Sequence, residues 1–469
     1  MSGRPTTTPD QAADQTEARQ GPLRGPAEYL PEPMSYEAIT SEVMNPLLMT
    51  RVGRIWWISL LVSLALTVMM VVSILWLFAN GIGVWGLNQS NIWGFAIANY
   101  VWWIGIGNAG TLISSMLLLT RQRWRASVNR FAEAMTLFAA AIAGLYPILH
   151  LGRPWFFYWL MPYPNTMGVW PQWRSPLVWD FFAIASYLIF SLLFWYTGLI
   201  PDLATARDRA APGLRRALYG FMSFGWTGSA SDWLRLESFY KTAAAMAVPL
   251  VFSVHSVVGL DFAAGLAPGW AETIFPPYFV IGAAYSGFAM VVTLAIPIRW
   301  AFNLQGLVTR SHLNVMGKML LFLSLIMTIS YATEWFMAWY AGSEAERDLV
   351  LFKFFGAYAP YYWLMLACNC VIPLALWLPV VRRTPKLILG VALAINLGMW
   401  LERILITTTT PSHGHLPSSW QIYTPTIWDW TLWFGTLGFF TLLFLIFVRL
   451  VPFISLHEVK QFDWQRRRG

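Results

Sequence analysis

His150 and Asp180 are the two residues of this sequence best placed for chemistry, each at the edge of a long apolar run and near Arg153, Trp155, Trp159 and Trp179. Imidazole titrates near neutrality, so it can take up and release a proton, and a carboxylate beside it can orient the ring or carry the proton onwards. Other ionisable residues also fall inside apolar runs. In the half that holds His150 these are Asp180, His255, Asp261, Glu334, Glu402, Arg403 and Asp429; the other half has mainly Glu133, Lys241 and Lys318. A charge near the centre of a bilayer costs roughly 2.5–3.5 kcal/mol, so each such residue requires a partner, a wet cavity or a function.

The one-sided distribution fits a site near one face where protons leave better than a channel through the membrane. Quinol oxidation has matching demands: an acceptor near each hydroxyl, a wet exit for two protons and an apolar slot for an isoprenoid tail. Each residue also has a structural reading. Arg153 follows a helix end before Pro154, where a cation meets the C-terminal dipole. Asp180 follows Ser175 and Pro176 in a first helical turn, and Asp429 has a first-turn role that outweighs a catalytic one. Glu402 and Arg403 are adjacent and suited to pairing or snorkelling. His255 and Asp261 lie six residues apart on different faces of one helix, so they serve different neighbours. Glu133, near the Arg121, Arg123, Arg125 and Arg130 cluster, suits a salt bridge. The Trp residues, among them Trp102, Trp103, Trp170 and Trp173, read first as interfacial belts. His413 and His415 are too few for a metal site.

These residues are positioned by a membrane domain. The chain has 469 residues, 57% hydrophobic and 12% charged, with 28 Trp, and a mean hydropathy of +0.52. Soluble proteins carry about 25% charged residues. Ten apolar runs reach the length needed to cross a hydrocarbon core as helices. They cover approximately 55–78, 92–119, 131–150, 177–199, 242–263, 277–301, 316–340, 358–381, 387–406 and 427–451. The expected fold is all-α and polytopic, with two four-helix bundles from spans 2–5 (about 92–263) and 6–9 (about 277–406), flanked by spans 1 and 10. Residues 1–54 read as a cytoplasmic N-terminal tail, helical and amphipathic only from Ser35 to Leu48, and 452–469 as a basic cytoplasmic C-terminal tail. The positive-inside rule places both termini in the cytoplasm: with the N-terminus inside, the outer loops contain only Arg153, Arg174, Arg347 and Lys353.

The formal net charge of +8 therefore reports topology, with lipid attraction second, and nucleic acid is not an expected partner. Cys368 and Cys370 lie within one apolar run, and there is no CxxCH haem-attachment motif, no four-cysteine set and no phosphate-binding loop. Any redox metal would therefore be non-covalent haem or belong to another chain, and the expectation is that this chain holds neither metal nor haem.

Several long strings stand in the order found in polysulfide-reductase-type (NrfD-like) membrane subunits: IANYVWWIGIGNAGTLISS at 97–115, NRFAEAMTLFA at 129–139, HLGRPWFFYW at 150–159, SPLVWDFFAIASY at 175–187, FPPYFVIGAAYSGFAMVVTLAIPIR at 275–299, TEWFMAWY at 333–340, NLGMWLERILI at 396–406 and YTPTIWDW at 423–430. From about residue 35 to 455 the chain resembles that family, and most closely the branch found in alternative complex III. The resemblance implies a quinol-binding subunit of a quinol:electron-acceptor oxidoreductase in a bacterial inner membrane, with menaquinol as the quinol. It further implies an iron–sulfur partner, haem c partners and a second related membrane protein in the complex. His150 and Asp180 would serve as catalytic quinol and proton ligands, with Arg153, Arg403 and Asn108 as further quinol contacts. Relatives tend to have His where Asn108 stands, and Asn cannot titrate. Proton routes through the bundles are also implied, for which Glu133, His255, Asp261 and Glu334 are candidates.

Three rival readings remain from the residues alone, one of them a purely structural anchor that holds peripheral redox proteins. A haem anchor would use His150 and His255 as ligands. A transporter would use repeated bundles and buried charges, against which the clustering near one face and the lack of an obvious broken-helix pair both count.

Overall fold

The computed structural model describes residues 35–48, 53–161, 168 and 173–468. The start of the N-terminal tail and Trp170 lie outside the described residues. Among those described there is no strand, and ten helices are long and apolar enough to cross a membrane. In chain order the helices are α1 (Tyr36–Leu48), α2 (Arg54–Asn80), α3 (Gly94–Leu119), α4 (Asn129–His150), α5 (Pro176–Arg209), α6 (Leu214–Met222), α7 (Ala230–Ala263), α8 (Phe275–Ala301), α9 (Arg310–Tyr340), α10 (Glu344–Phe355), α11 (Ala359–Leu366), α12 (Pro379–Arg383), α13 (Pro385–Ser412), α14 (Ile427–Leu450) and α15 (Leu456–Arg468). The spanning helices are α2–α5, α7–α9, the segment Ala359–Trp377, α13 and α14.

At the centre α3 packs against α8, and each of them contacts both α7 and α13. Around this core α4 and α5 complete one group of four, and α9 and the Ala359–Trp377 segment complete the other. Lipid tails provide no hydrophobic force between helices, so close approach of backbones has to supply the attraction, and glycines make that possible. A β-carbon at Gly287 of α8 would lie 1.8 Å from Ala109 Cβ of α3, and one at Gly110 would lie 2.1 Å from the Ala132 carbonyl of α4. The outer pair α2 and α14 uses the same device, with Gly435 against Met70 and Gly438 against Leu66.

Three differences from the expected elements have physical causes. Residues 200–240, which lie between the fourth and fifth apolar runs, are largely helical: α5 runs on to Arg209, α7 begins at Ala230, and α6 lies between them. At 1.5 Å per residue a 34-residue helix reaches about 51 Å, well past a core of about 30 Å. The eighth span is interrupted, with a π turn at Ala367–Val371 and a 3-10 turn at Ile372–Trp377. Pro373 has no amide to donate to the preceding turn, and Asn369 in the π turn has its backbone carbonyl occupied by Tyr285 and Ser324 hydroxyls, both at 3.0 Å. The described terminal segments are docked and not free tails. Ile39, Val43 and Leu47 of α1 and Phe453, Ile454 and Val459 near α15 are fully or almost fully buried. Arg125 pairs with Glu458 at 2.6 Å, and Arg209 with Glu37 at 2.5 Å.

Candidate functional site

Helix alternation brings the ends of α4, α7, α9 and α13 and the starts of α3, α5, α8 and α14 to one side of the bundle, the His150 side. Asp180 enters it from the first turns of α5, in a helix that begins with Pro176, and is buried. Its carboxylate accepts the Tyr100 hydroxyl of α3, and its carboxyl also lies within hydrogen-bonding reach of Asp261 near the end of α7. Asp180 Oδ1 and Asp261 Oδ1 are both buried without a hydrogen-bond partner among the described residues. Tyr100, Asp180 and Asp261 thus form a cluster of titratable groups drawn from three helices.

His150 ends α4 with its ring stacked on Trp85, centroids 6.0 Å apart and planes at 12°. Its buried Nδ1 has no hydrogen-bond partner. The partners of Asp180 are Tyr100 and Asp261, so the structure joins Asp180 to Asp261 and leaves the His150 nitrogen open. Arg153 is exposed, at the turn that leads into Pro154–Leu160.

Deeper in the bundle, Asn108 of α3 is fully buried and its side-chain amide donates to Nδ1 of His255 on α7. A neutral ring then carries its proton on Nε2. That nitrogen is buried without a partner. A β-carbon at Gly105 would be 3.8 Å from both Nε2 and the Ala283 backbone, so the ring is enclosed between α3 and α8. His255 and Asp261 serve different neighbours, consistent with their separation on the helix.

The second group of four helices has a polar cluster that the sequence pattern does not assemble. Glu402 of α13 accepts the Tyr331 hydroxyl and pairs with Arg403 at 3.0 Å. Asn369 in the π turn donates to Tyr331 at 2.9 Å and reaches Glu402 at 3.5 Å. The Arg403 guanidinium lies over the Phe279 ring, 4.2 Å from its centroid, in space that a side chain at Gly282 would occupy. Arg403 is also the charged neighbour of His255. The adjacency of Glu402 and Arg403 in an apolar run is a signal for this cluster; Tyr331 and Asn369 give none, because hydroxyl and amide side chains are ordinary in helices.

Above Glu402 a narrow chamber of about 20 Å³, room for little more than a water molecule, is lined by Tyr278, Tyr331, Glu334, Lys353 and Tyr362 among others. Glu334 is paired there with Lys353 of α10 at 2.5 Å. Outside the membrane spans, Glu272 in the turn before α8 is pushed up to about 7, first by burial and then by the charge of Glu334.

On the opposite side Glu133 accepts Ser114 at 2.5 Å and Tyr240 at 2.6 Å and faces Arg130 at 3.5 Å; Arg130 pairs in turn with Asp202 at 3.1 Å. Glu133 is a salt-bridge member. Asp429 accepts the amides of Gly86 at 2.9 Å and Thr426 at 2.8 Å, closing a capping box at the start of α14. His413 stacks on Phe352 and Trp420, and His415 bonds the Leu266 carbonyl. No group of three or more His, Cys, Asp or Glu suited to a metal occurs among the described residues.

Ten helices long and apolar enough to span a membrane define an integral multi-pass membrane protein, with buried acid, tyrosine and histidine groups on the His150 side. Residues 83–411 match the family described as Polysulphide reductase, NrfD, and the chain belongs to that family. It is similar to a putative dimethyl sulfoxide reductase membrane subunit of Halobacterium salinarum, 26% identical over 350 residues that cover 71% of this chain and 75% of that protein. It is also similar to a selenate reductase subunit of Mesobacillus selenatarsenatis, 25% identical over 419 residues that cover 83% of this chain and 93% of the relative.

Proposed function

We propose that this chain is the quinol-oxidising membrane subunit of a multisubunit oxidoreductase, with its reaction site on the His150 side. The observation that supports this most directly is the buried cluster of Tyr100, Asp180 and Asp261 on the side where the His150 nitrogen is buried and open. The names of both relatives, each a subunit of a reductase, agree with a chain that works as part of a complex.

Oxidation of a quinol releases two protons and two electrons. His150 Nδ1 can accept one proton, and an ionised carboxylate of the Asp180 and Asp261 pair can accept the second. Arg153 and Asn108 would contact or place the quinol and Arg403 would act from its neighbouring cluster, while the isoprenoid tail follows the lipid-facing apolar surface. The electrons would pass to an iron–sulfur cluster in a peripheral partner and on to haem c partners, in the arrangement of alternative complex III with a second related membrane protein. Menaquinol is the proposed quinol. The proposed location is a bacterial inner membrane with both termini in the cytoplasm, so the His150 side faces outward. Glu133, His255, Asp261 and Glu334 are the proposed residues for proton movement.

The haem-anchor alternative gains nothing from His255, which is fully buried with its Nδ1 engaged by Asn108. The test is titration of the purified complex with a fluorescent quinol analogue, comparing the unaltered protein with His150→Ala and Asp180→Asn forms that still assemble. Saturable binding that weakens in both variants is the expected result. Unchanged binding in both would remove these residues from the site and leave the chain as an anchor or an ion path.

A further inference from the structure

On the side opposite His150, where α5 and α7 project past the apolar core, a cavity of about 240 Å³ lies between these helices and the C-terminal α15. One wall is formed by Trp226 and Trp233, which meet edge to face at 5.0 Å and 89°. The ionisable side chains of the lining are Asp202, Arg207, Asp208, His457 and Lys460.

Three of the four charged side chains in this lining already have partners. Asp202 is committed to Arg130 at 3.1 Å, and Arg207 grips Asp208 through two bonds at 2.8 and 3.3 Å while its remaining nitrogen bonds the Trp226 carbonyl and Ser223. Lys460 is half-buried and has no ion pair among the described residues. Burial depresses its ammonium below the usual lysine range, a cost that a bound anion would offset.

A second observation identifies the kind of anion. Next to the cavity, α6 turns Leu214, Leu218 and Phe221 outward, with Leu214 at 78% and Phe221 at 79% exposure, and Phe224 follows at 71%. Positions i, i+4 and i+7 make one face of a helix. The opposite face is fixed to the protein: Tyr219 is buried with its hydroxyl on the Leu450 carbonyl, and Arg215 bonds the Leu47 carbonyl at 2.5 Å. An amphipathic helix with an exposed apolar face and basic residues, located where spanning helices leave the membrane, lies in the interfacial plane with that face among acyl chains. The cavity mouth is then at headgroup level.

We propose that this cavity is a binding site for an anionic diacyl phospholipid, its phosphodiester held by Lys460, its headgroup against Trp226 and Trp233, and its acyl chains along the exposed face of α6. Charge complementarity selects the anion, and the apolar face selects a lipid over a free phosphate.

The test is native mass spectrometry of the full-length chain in detergent, supplied with phosphatidylglycerol, phosphatidylcholine or glycerol phosphate. The unaltered protein is expected to retain one phosphatidylglycerol in preference to phosphatidylcholine. Lys460→Gln should reduce that preference about fivefold, the effect of one basic residue near an anionic surface, while Lys460→Arg keeps it. Phe221→Ser on α6 should weaken retention of both lipids and does not touch the buried core, which keeps the test valid if Lys460→Gln fails to fold. Equal retention of the two lipids, no change in Lys460→Gln, or displacement of the lipid by glycerol phosphate at comparable concentration would each overturn the proposal.

Discussion

Asp180 and Asp261, brought from the first turns of α5 and the last turns of α7, face each other as a carboxyl pair beside the Tyr100 hydroxyl. Separating the functions of its members is the most direct way to test the proposed chemistry. In Asp261→Asn the amide can still donate to Asp180, so the complex should assemble. Quinol-dependent turnover should fall about a hundredfold or more, the usual effect of losing a general base. Turnover within about twofold of the unaltered complex would mean that the pair is structural.

The Glu402 and Arg403 pair is almost wholly buried. Replacing Glu402 by Leu leaves the Arg403 guanidinium without its counter-ion and should destabilise the protein by about 3–5 kcal/mol. Glu402→Gln retains a group for Tyr331 and Asn369 to bond and should lose less. Thermal unfolding in detergent checks the order of the two variants, and equal midpoints would contradict it.

Helix contact through glycine makes a sharper prediction. Gly287→Ala puts a methyl group on top of Ala109 Cβ. Forcing α3 and α8 apart should cost about 1–3 kcal/mol, as overpacking generally does. Gly144→Ala, on the same scaffold but with nothing within 4 Å of the added carbon, should leave the unfolding midpoint unchanged or higher. A midpoint for Gly287→Ala as high as that of Gly144→Ala would show that α3 and α8 can separate without cost.

Glu272 provides a pH dependence with a definite sign. Burial pushes its carboxyl from 4.5 to about 7, so the folded protein holds a proton that the unfolded chain releases. Between about pH 4.5 and 7 the folded state binds more protons, and this residue therefore removes stability as pH rises through that window. Glu272→Gln should flatten the fall in unfolding midpoint between those values and raise the midpoint at a pH about one unit above the window. A parallel pH profile in the variant would argue against the assignment.

The sequence by itself determined the membrane class, the ten spans and their approximate limits, because hydropathy is a local property and each spanning helix satisfies its own backbone. It also determined the first-turn role of Asp429, since a cap is made within a few residues. The reach of α5 and α7 beyond the apolar runs was hidden, since polar sequence outside the membrane reads equally as loop or helix. The break at Asn369 was hidden as well, because apolar residues continue through it. Which side chains meet was decided only by the tertiary structure. Asp180 bonds Tyr100 and Asp261, Asn108 bonds His255, and Glu402 gathers Tyr331 and Asn369. These contacts depend on the rotation and separation of helices that are distant in the chain, and glycine contacts such as Gly287 on Ala109 set that separation. A one-dimensional pattern places an ionisable residue at a depth in the membrane, but rotation about the helix axis, fixed by the neighbouring helices, selects its partner.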